Sequence, residues 1–223
     1  MMGLGWFITG TDTGIGKTTT VVTLLRGYAE RELSVVGVKP IASGGGGDLK
    51  KMQQSSPSFL VDAPECGRYQ WETPIAPHLA ANESGDVIDF LQIAADVQWL
   101  RSNHDYVLVE GAGGVRVPLG KQGDMRDLIK VLGLPVIIVV GMRLGCINHA
   151  ILTEESLLAA NIPIHGWVAN ELDPSMLYLE QNRQTLMTTL NSPYLGSIPF
   201  VLNADGVPSS GELYWERLIF SPL

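Results

Sequence analysis

The sequence predicts an α/β fold: a mostly parallel sheet with helices on both faces. Three observations predict it. Apolar runs of strand length recur along the chain, several apolar at successive positions, as in strands buried on both faces. Helical apolar stripes lie between them, so neighbouring strands need crossovers, which are right-handed and cover both sides of a sheet. The first run, residues 6–9, ends in a glycine-rich turn closed by Lys17-Thr18, which opens a helical stretch.

The elements follow in order. After the strand at 6–9, residues 18–31 read as a helix and 35–39 as the second strand. Pro40 ends that strand, since proline cannot continue a central ladder. Residues 44–47 read as a flexible glycine loop. Residues 55–83, proline-containing and weakly periodic, read as surface loops near the site. Val87, Phe90, Leu91, Ala94 and Val97 form a helical stripe ending near Arg101. Strands at 106–110 and 136–140 follow. A helix at 148–160, a strand at 165–169, a helix at 175–190 and a strand at 194–198 complete the pattern. No internal repeat or linker divides the chain, so residues 1–223 are expected to form one domain.

Composition narrows the class. A hydrophobic fraction of 45% argues against disorder, and a net charge of −8 against non-specific nucleic-acid binding. The two cysteines, Cys66 and Cys146, show no C-x-x-C spacing, and the four histidines no metal-ligand spacing. Reduced thiols and the absence of a leader pattern point to a cytoplasmic protein. The apolar run at 134–140 is far too short to span a membrane.

The turn Gly10-Thr-Asp-Thr-Gly-Ile-Gly-Lys-Thr18 reads as a phosphate-binding loop, which makes the fold P-loop NTPase-like and ATP or GTP the ligand. The backbone of Thr13, Gly14, Ile15 and Gly16 would cradle phosphate oxygens at the positive end of the next helix. Lys17 would reach the β- and γ-phosphates, and Thr18 would place its hydroxyl on Mg²⁺. Six positions rather than five separate Gly10 from Gly16, so the strict form of the motif is not met. No G-x-G-x-x-G with an acidic partner about twenty positions on occurs, which argues against a dinucleotide fold.

Such sheets bind ligands at the carboxyl ends of their strands. Lys39 ends the second strand, where a second lysine would stabilise transferring negative charge. Glu110 ends an apolar strand before Gly-Ala-Gly-Gly, as does the acidic Mg²⁺ residue of other phosphate-loop proteins. Asp48 is a candidate second carboxylate. On local sequence alone, Lys39 reads equally well as a solvated strand-end lysine and Asp48 as a solvated loop aspartate. The turn at 141–149 could bind a substrate carboxylate through backbone N–H groups, but reads more simply as an ordinary strand-to-helix loop.

Together these segments resemble the ATP-dependent dethiobiotin synthetase family. The matching residues are the glycine loop, Lys39-Pro-Ile-Ala-Ser43, Pro77-His78, Val109-Glu-Gly-Ala-Gly-Gly114, Leu144-Gly-Cys-Ile-Asn-His149, Gly166-Trp-Val-Ala-Asn170 and Gly196-Ser-Ile-Pro199. The resemblance implies a homodimer that closes the ureido ring of dethiobiotin from 7,8-diaminononanoate, CO₂ and ATP with Mg²⁺. A carbamate would form, take the γ-phosphoryl group, and be attacked by the second amine. It implies that Lys17 and Lys39 hold the γ-phosphate and carbamate, and that Thr18, Asp48 and Glu110 hold Mg²⁺. Thr13 and Ser43 would line the reacting groups. Asn170 would meet the adenine edge, with backbone near Pro199 closing that pocket. Leu144, Gly145, Cys146, Ile147 and Asn148 would receive the substrate carboxylate from the partner subunit. The chain departs from the family at Gly14, where an acidic residue is common, in the short segment between Ser43 and Asp48, and near Asn182, where some members carry a tyrosine.

Two other readings are weaker. The related partitioning and metal-delivery ATPases carry an extra lysine early in the loop, and Gly10-Thr-Asp-Thr13 has none. The amide ligases of corrinoid synthesis work with a glutamine-hydrolysing domain, for which this chain has neither length nor an evident thiol nucleophile.

Overall fold

The computed structural model describes residues 2–56, 66–200 and 211–219. In chain order the elements are β1 (Leu4–Gly10), α1 (Lys17–Ala29), β2 (Val35–Val38), β3 (Ile41–Ser43), α2 (Gly47–Ser55), β4 (Tyr69–Trp71), α3 (Pro77–Ser84) and α4 (Phe90–Asn103). Then come β5 (Tyr106–Gly114), α5 (Met125–Leu132), β6 (Val136–Met142), α6 (Cys146–Ala159), β7 (Ile164–Glu171), α7 (Leu179–Thr189), β8 (Tyr194–Ile198), β9 (Glu212–Leu213) and α8 (Trp215–Ile219).

Among the described residues, seven strands form one sheet in the order β2-β5-β1-β6-β7-β8-β9, with only β9 antiparallel to its neighbour. The unbroken apolar runs divide by pleat. Phe7, Val107, Val109, Ile138 and Val140 face one core with α3, α4, α5 and α6. Trp6, Ile8, Leu108, Ile137 and Val139 face the other with α1 and α8. Alternate side chains of a strand point to opposite faces, so a strand covered twice must be apolar throughout. Trp6 Nε1 donates to the Tyr28 hydroxyl at 2.8 Å, and that hydroxyl donates to the Leu218 carbonyl at 2.7 Å, tying α8 to the sheet.

Seven elements lie outside the sequence expectations: β3, α2, β4, α3, α5, β9 and α8. Asp48 sits on α2, which begins at Gly47, inside the expected glycine loop. The stretch read as surface loops contains β4, which pairs with β3 as a separate parallel ladder. It also contains α3, started by Pro77 at its first turn and closed by Gly85 in the left-handed conformation. Helix α5 is set by a capping box between Asp124 and Asp127 and ended by Gly133.

The sheet also contains an irregularity beside the site. β1 and β5 pair in register from Leu4↔Tyr106 to Ile8↔Glu110, then meet again at Gly10↔Gly114. Between those points β1 advances two residues and β5 four, a bulge of the kind that redirects a strand end beside a functional site.

Candidate active site

The phosphate loop joins β1 to α1 and turns through Gly14 and Gly16, with φ of 71° and 84°. Gly16 caps α1 with no side-chain bond, so the helix presents its first N–H groups and positive end to the cleft. Three contacts hold the loop. Ile15 is buried in the core against Gly10. Asn170, at the end of β7 and 3% exposed, donates from Nδ2 to the Ile15 carbonyl at 2.9 Å. Arg143, after β6, pairs with the Asp12 carboxylate, which also accepts from the Thr13 N–H at 2.7 Å.

Beside the loop lies a compact charge cluster. Lys17 and Lys39 are each 7% exposed and Glu110 is 1% exposed. Lys39 Nζ donates to Glu110 Oε1 at 2.7 Å and pairs with Asp48. The Thr18 hydroxyl donates to the same Glu110 oxygen at 3.0 Å, while Glu110 Oε2 is buried without a partner. Lys17 Nζ donates to the Asp12 carbonyl at 2.9 Å.

Burial and opposite charge compete across this cluster. Burial disfavours the Lys39 ammonium, but Glu110 and Asp48 outweigh it and lift the amine above its ordinary value. Burial lowers Lys17, against the pull of Glu110, and Lys39 adds to that lowering. Burial likewise raises the Glu110 carboxyl, and Lys39 offsets this only in part. Asp48 is half-buried, which opposes its ionisation, yet Lys39 keeps it below the usual carboxylate range.

The cluster opens on a cleft of about 690 Å³. Of the residues expected at the site, Thr13, Gly14, Gly16, Lys17, Thr18, Lys39, Ser43, Asp48 and Glu110 line it. Ile15 and Asn170 stand behind the loop, and Pro199 follows β8 at the surface. Leu144, Gly145, Cys146, Ile147 and Asn148 do not line this cleft. They form the turn and first residues of α6, whose N-terminus has no side-chain cap. Leu144 is fully exposed and Cys146 buried. Asn182 is in α7 and donates to the Tyr178 carbonyl at 2.8 Å, with Tyr178 exposed one turn earlier.

The cleft also has a wall for which the sequence reading gave no site role. Ile75, Ala76 and Pro77 at the start of α3 face Ala112, Gly113 and Val117 beyond Glu110. The Pro77-His78 and Gly-Ala-Gly-Gly strings were the signals available for it.

The donors suit Mg²⁺. Thr18, Asp48 and Glu110 offer hard oxygens, and the partnerless Glu110 Oε2 leaves a buried lone pair to be satisfied. Among the described residues no group of three or more His, Cys, Asp or Glu side chains gathers around a metal position. Mg²⁺ is usually held by one or two carboxylates together with phosphate oxygens and water, and this donor set fits that pattern. Among the described residues no helix is long and apolar enough to cross a membrane.

Comparison with known proteins adds relatives to this geometry. A family profile described as an AAA domain matches residues 5–206. The ATP-dependent dethiobiotin synthetase BioD of Aromatoleum aromaticum is 44% identical over 216 residues, covering 93% of this chain and 96% of its own. The protein of the same name from Nitrosospira multiformis is 43% identical over 220 residues, covering 97% of each. Among solved structures, the septum site-determining protein MinD from Pyrococcus horikoshii, complexed with Mg-ADP, gives a TM-score of 0.59 at 14% identity, covering 93% of this chain and 87% of that one. Chloroplast FtsY from Physcomitrella patens gives 0.62 at 17% identity, covering 98% of this chain and 65% of that one. At those identities the structural likeness establishes the α/β fold and its mostly parallel sheet.

Proposed function

The chain belongs to the ATP-dependent dethiobiotin synthetase family, and from that premise we propose how its residues divide the work of closing the ureido ring. The protein is an ATP-dependent ligase of biotin biosynthesis that forms dethiobiotin. The observation that carries the assignment of roles is the convergence of Lys17, Lys39, Thr18, Asp48 and Glu110 on one cleft at the head of the phosphate loop.

The substrates are 7,8-diaminononanoate, CO₂ and ATP. One amine adds to CO₂ to give a carbamate, whose oxygen takes the γ-phosphoryl group of ATP. The second amine then attacks the mixed anhydride, the ring closes and phosphate leaves. Phosphorylation supplies a leaving group that a carbamate lacks. The protein's share is therefore positioning and charge stabilisation.

Loop N–H groups and Lys17 grip the β- and γ-phosphates. Lys39 reaches the carbamate and the transferring phosphoryl oxygens from the opposite side. Thr13 and Ser43 orient the reacting groups, and the wall formed by Ala76, Pro77 and Gly113 shields them from water. Thr18, Asp48 and Glu110 would hold Mg²⁺. When bound, it neutralises phosphate charge and fixes the geometry of transfer. Asn170 reads the adenine edge with its amide oxygen, since its Nδ2 already serves Ile15. Backbone near Pro199 closes that pocket.

The working unit is a homodimer, with residues 1–223 of each copy acting as one domain. The uncapped start of α6, from Leu144 to Asn148, receives the substrate carboxylate of the partner's site, which is why it lies outside this chain's own cleft. Its fully exposed Leu144 favours burial against a second copy. The reaction belongs in the cytoplasm, in keeping with a chain whose two cysteines, Cys66 and Cys146, show no C-x-x-C spacing.

The test is phosphate release from Mg-ATP and bicarbonate, with and without 7,8-diaminononanoate, alongside mass detection of dethiobiotin. Diamine-dependent release with the cyclic urea formed is expected. Diamine-independent hydrolysis, or glutamine-dependent turnover, would refute the assignment.

A further inference from the structure

We propose that Lys39 is a built-in cation: it holds the metal-binding carboxylates in the nucleotide-free protein and gives way when the divalent ion and phosphates arrive. The inference rests on the metal assignment made above. Lys39 Nζ bonds Glu110 Oε1 at 2.7 Å and pairs with Asp48, so one ammonium bridges both carboxylates of the expected ligand set. The Thr18 hydroxyl, the third expected ligand, donates to the same Glu110 oxygen at 3.0 Å. The ammonium therefore bridges two of the three expected ligands, and the third is bonded to the same Glu110 oxygen.

The alternatives are limited by burial. Glu110 is 1% exposed, and a carboxylate so placed needs a cation. Lys39 is held by its backbone at the end of β2, where its N–H donates to the Cys66 carbonyl at 2.8 Å, so the proposed release is a movement of the side chain alone. Two lysines and two carboxylates balance in the nucleotide-free cluster. A divalent ion added alone would leave surplus positive charge beside Lys39. An ion arriving with a polyphosphate brings anionic oxygens to which Lys39 can move. Lys39 and the divalent ion thus compete for Glu110 and Asp48 without nucleotide and cease to compete with it. The lysine reaches the transferring group only after the metal and phosphates are in place.

The test uses divalent ions without nucleotide, so its outcome is separate from turnover. Mn²⁺ binding to the full chain is followed by paramagnetic resonance, and Mg²⁺ binding by thermal melting. Lys39→Met should bind Mn²⁺ about 5- to 150-fold more tightly than the wild type, the usual range of coupling between two ligands. The variant should melt lower than the wild type in EDTA and regain stability with Mg²⁺ at concentrations that leave the wild type unmoved. Lys39→Gln, which keeps length and hydrogen-bonding capacity, makes the same comparison if Lys39→Met does not fold. Equal or weaker Mn²⁺ binding in the variant that folds overturns the inference while leaving the ligase assignment intact. Adding Glu110→Gln to that variant should abolish the tight binding. Its persistence would place the ion elsewhere and overturn both the inference and the metal assignment.

Discussion

Replacing Gly16 by alanine tests how the phosphate loop is held. Gly16 has a φ of 84°, where an L-residue costs about 1–2 kcal/mol. A Cβ there would stand 2.0 Å from Asn170 Nδ2, so the amide must leave its bond to the Ile15 carbonyl. A partner removed from a buried hydrogen bond costs about 1–3 kcal/mol. Gly16→Ala should therefore destabilise the protein by about 2–5 kcal/mol, and Asn170→Ala alone by about 1–3 kcal/mol. If both act through the same amide, the double variant should lose no more than Gly16→Ala does. The coupling is then about 1–3 kcal/mol in a double-mutant cycle. Thermal melting resolves this, because 1 kcal/mol moves the midpoint of a chain this size by about 2–4 °C. Strict additivity would refute the argument that Asn170 and Gly16 share one steric and hydrogen-bonding unit.

Three further outcomes are expected. Lys39→Ala should lower turnover by about 10²–10³ with little change in ATP affinity, measured by steady-state kinetics and calorimetry; lost affinity with intact turnover would remove Lys39 from the transfer step. Asn170→Ala should weaken ATP and narrow its advantage over GTP in competition binding, and unchanged selectivity would discard the adenine contact. Glu154 on α6 accepts the Ser192 N–H at 2.8 Å and the Asn191 N–H at 3.0 Å, so Glu154→Gln should destabilise by about 1–3 kcal/mol. Burial opposes its ionisation, but the Ser192 and Asn191 donors hold its carboxyl below the usual range. Its stabilisation is therefore complete above the unfolded value of about 4.3 and lost as pH falls through the lower folded value. The gap between wild-type and variant unfolding midpoints should close in acid, and a gap that widens there would contradict the assignment.

The sheet was legible because its strands are covered twice and so announce themselves as unbroken apolar runs, such as residues 136–140. Short elements carried too little period to be read. β3 and β4 have three residues each; α5, by contrast, carries helical spacing in Met125, Leu128, Ile129 and Leu132 and was obscured by its cap, an Asp124–Asp127 box rather than the commoner Ser or Thr with Glu. Site residues at strand ends, such as Lys39 and Glu110, could be picked out one at a time. Their pairing could not, because Thr18 and Glu110 are 92 positions apart and Ile15 and Asn170 are 155 apart. The Ala76–Val117 wall was hidden for the same reason: its two sides come from separate segments and neither carries a charged side chain.

The bulge in β5 confines all the slack of the β1–β5 pairing to one place. Below Glu110 every β1–β5 pair is locked in register, and within the slack the glycines have little room. A Cβ on Gly111 would meet Phe7 at 2.9 Å and one on Gly113 would meet Val117 at 2.8 Å. Ala112, between them, faces the cleft. Ala112 thus sets one methyl group against the space left for an acceptor molecule, on a stretch of β5 that lies outside the registered pairs.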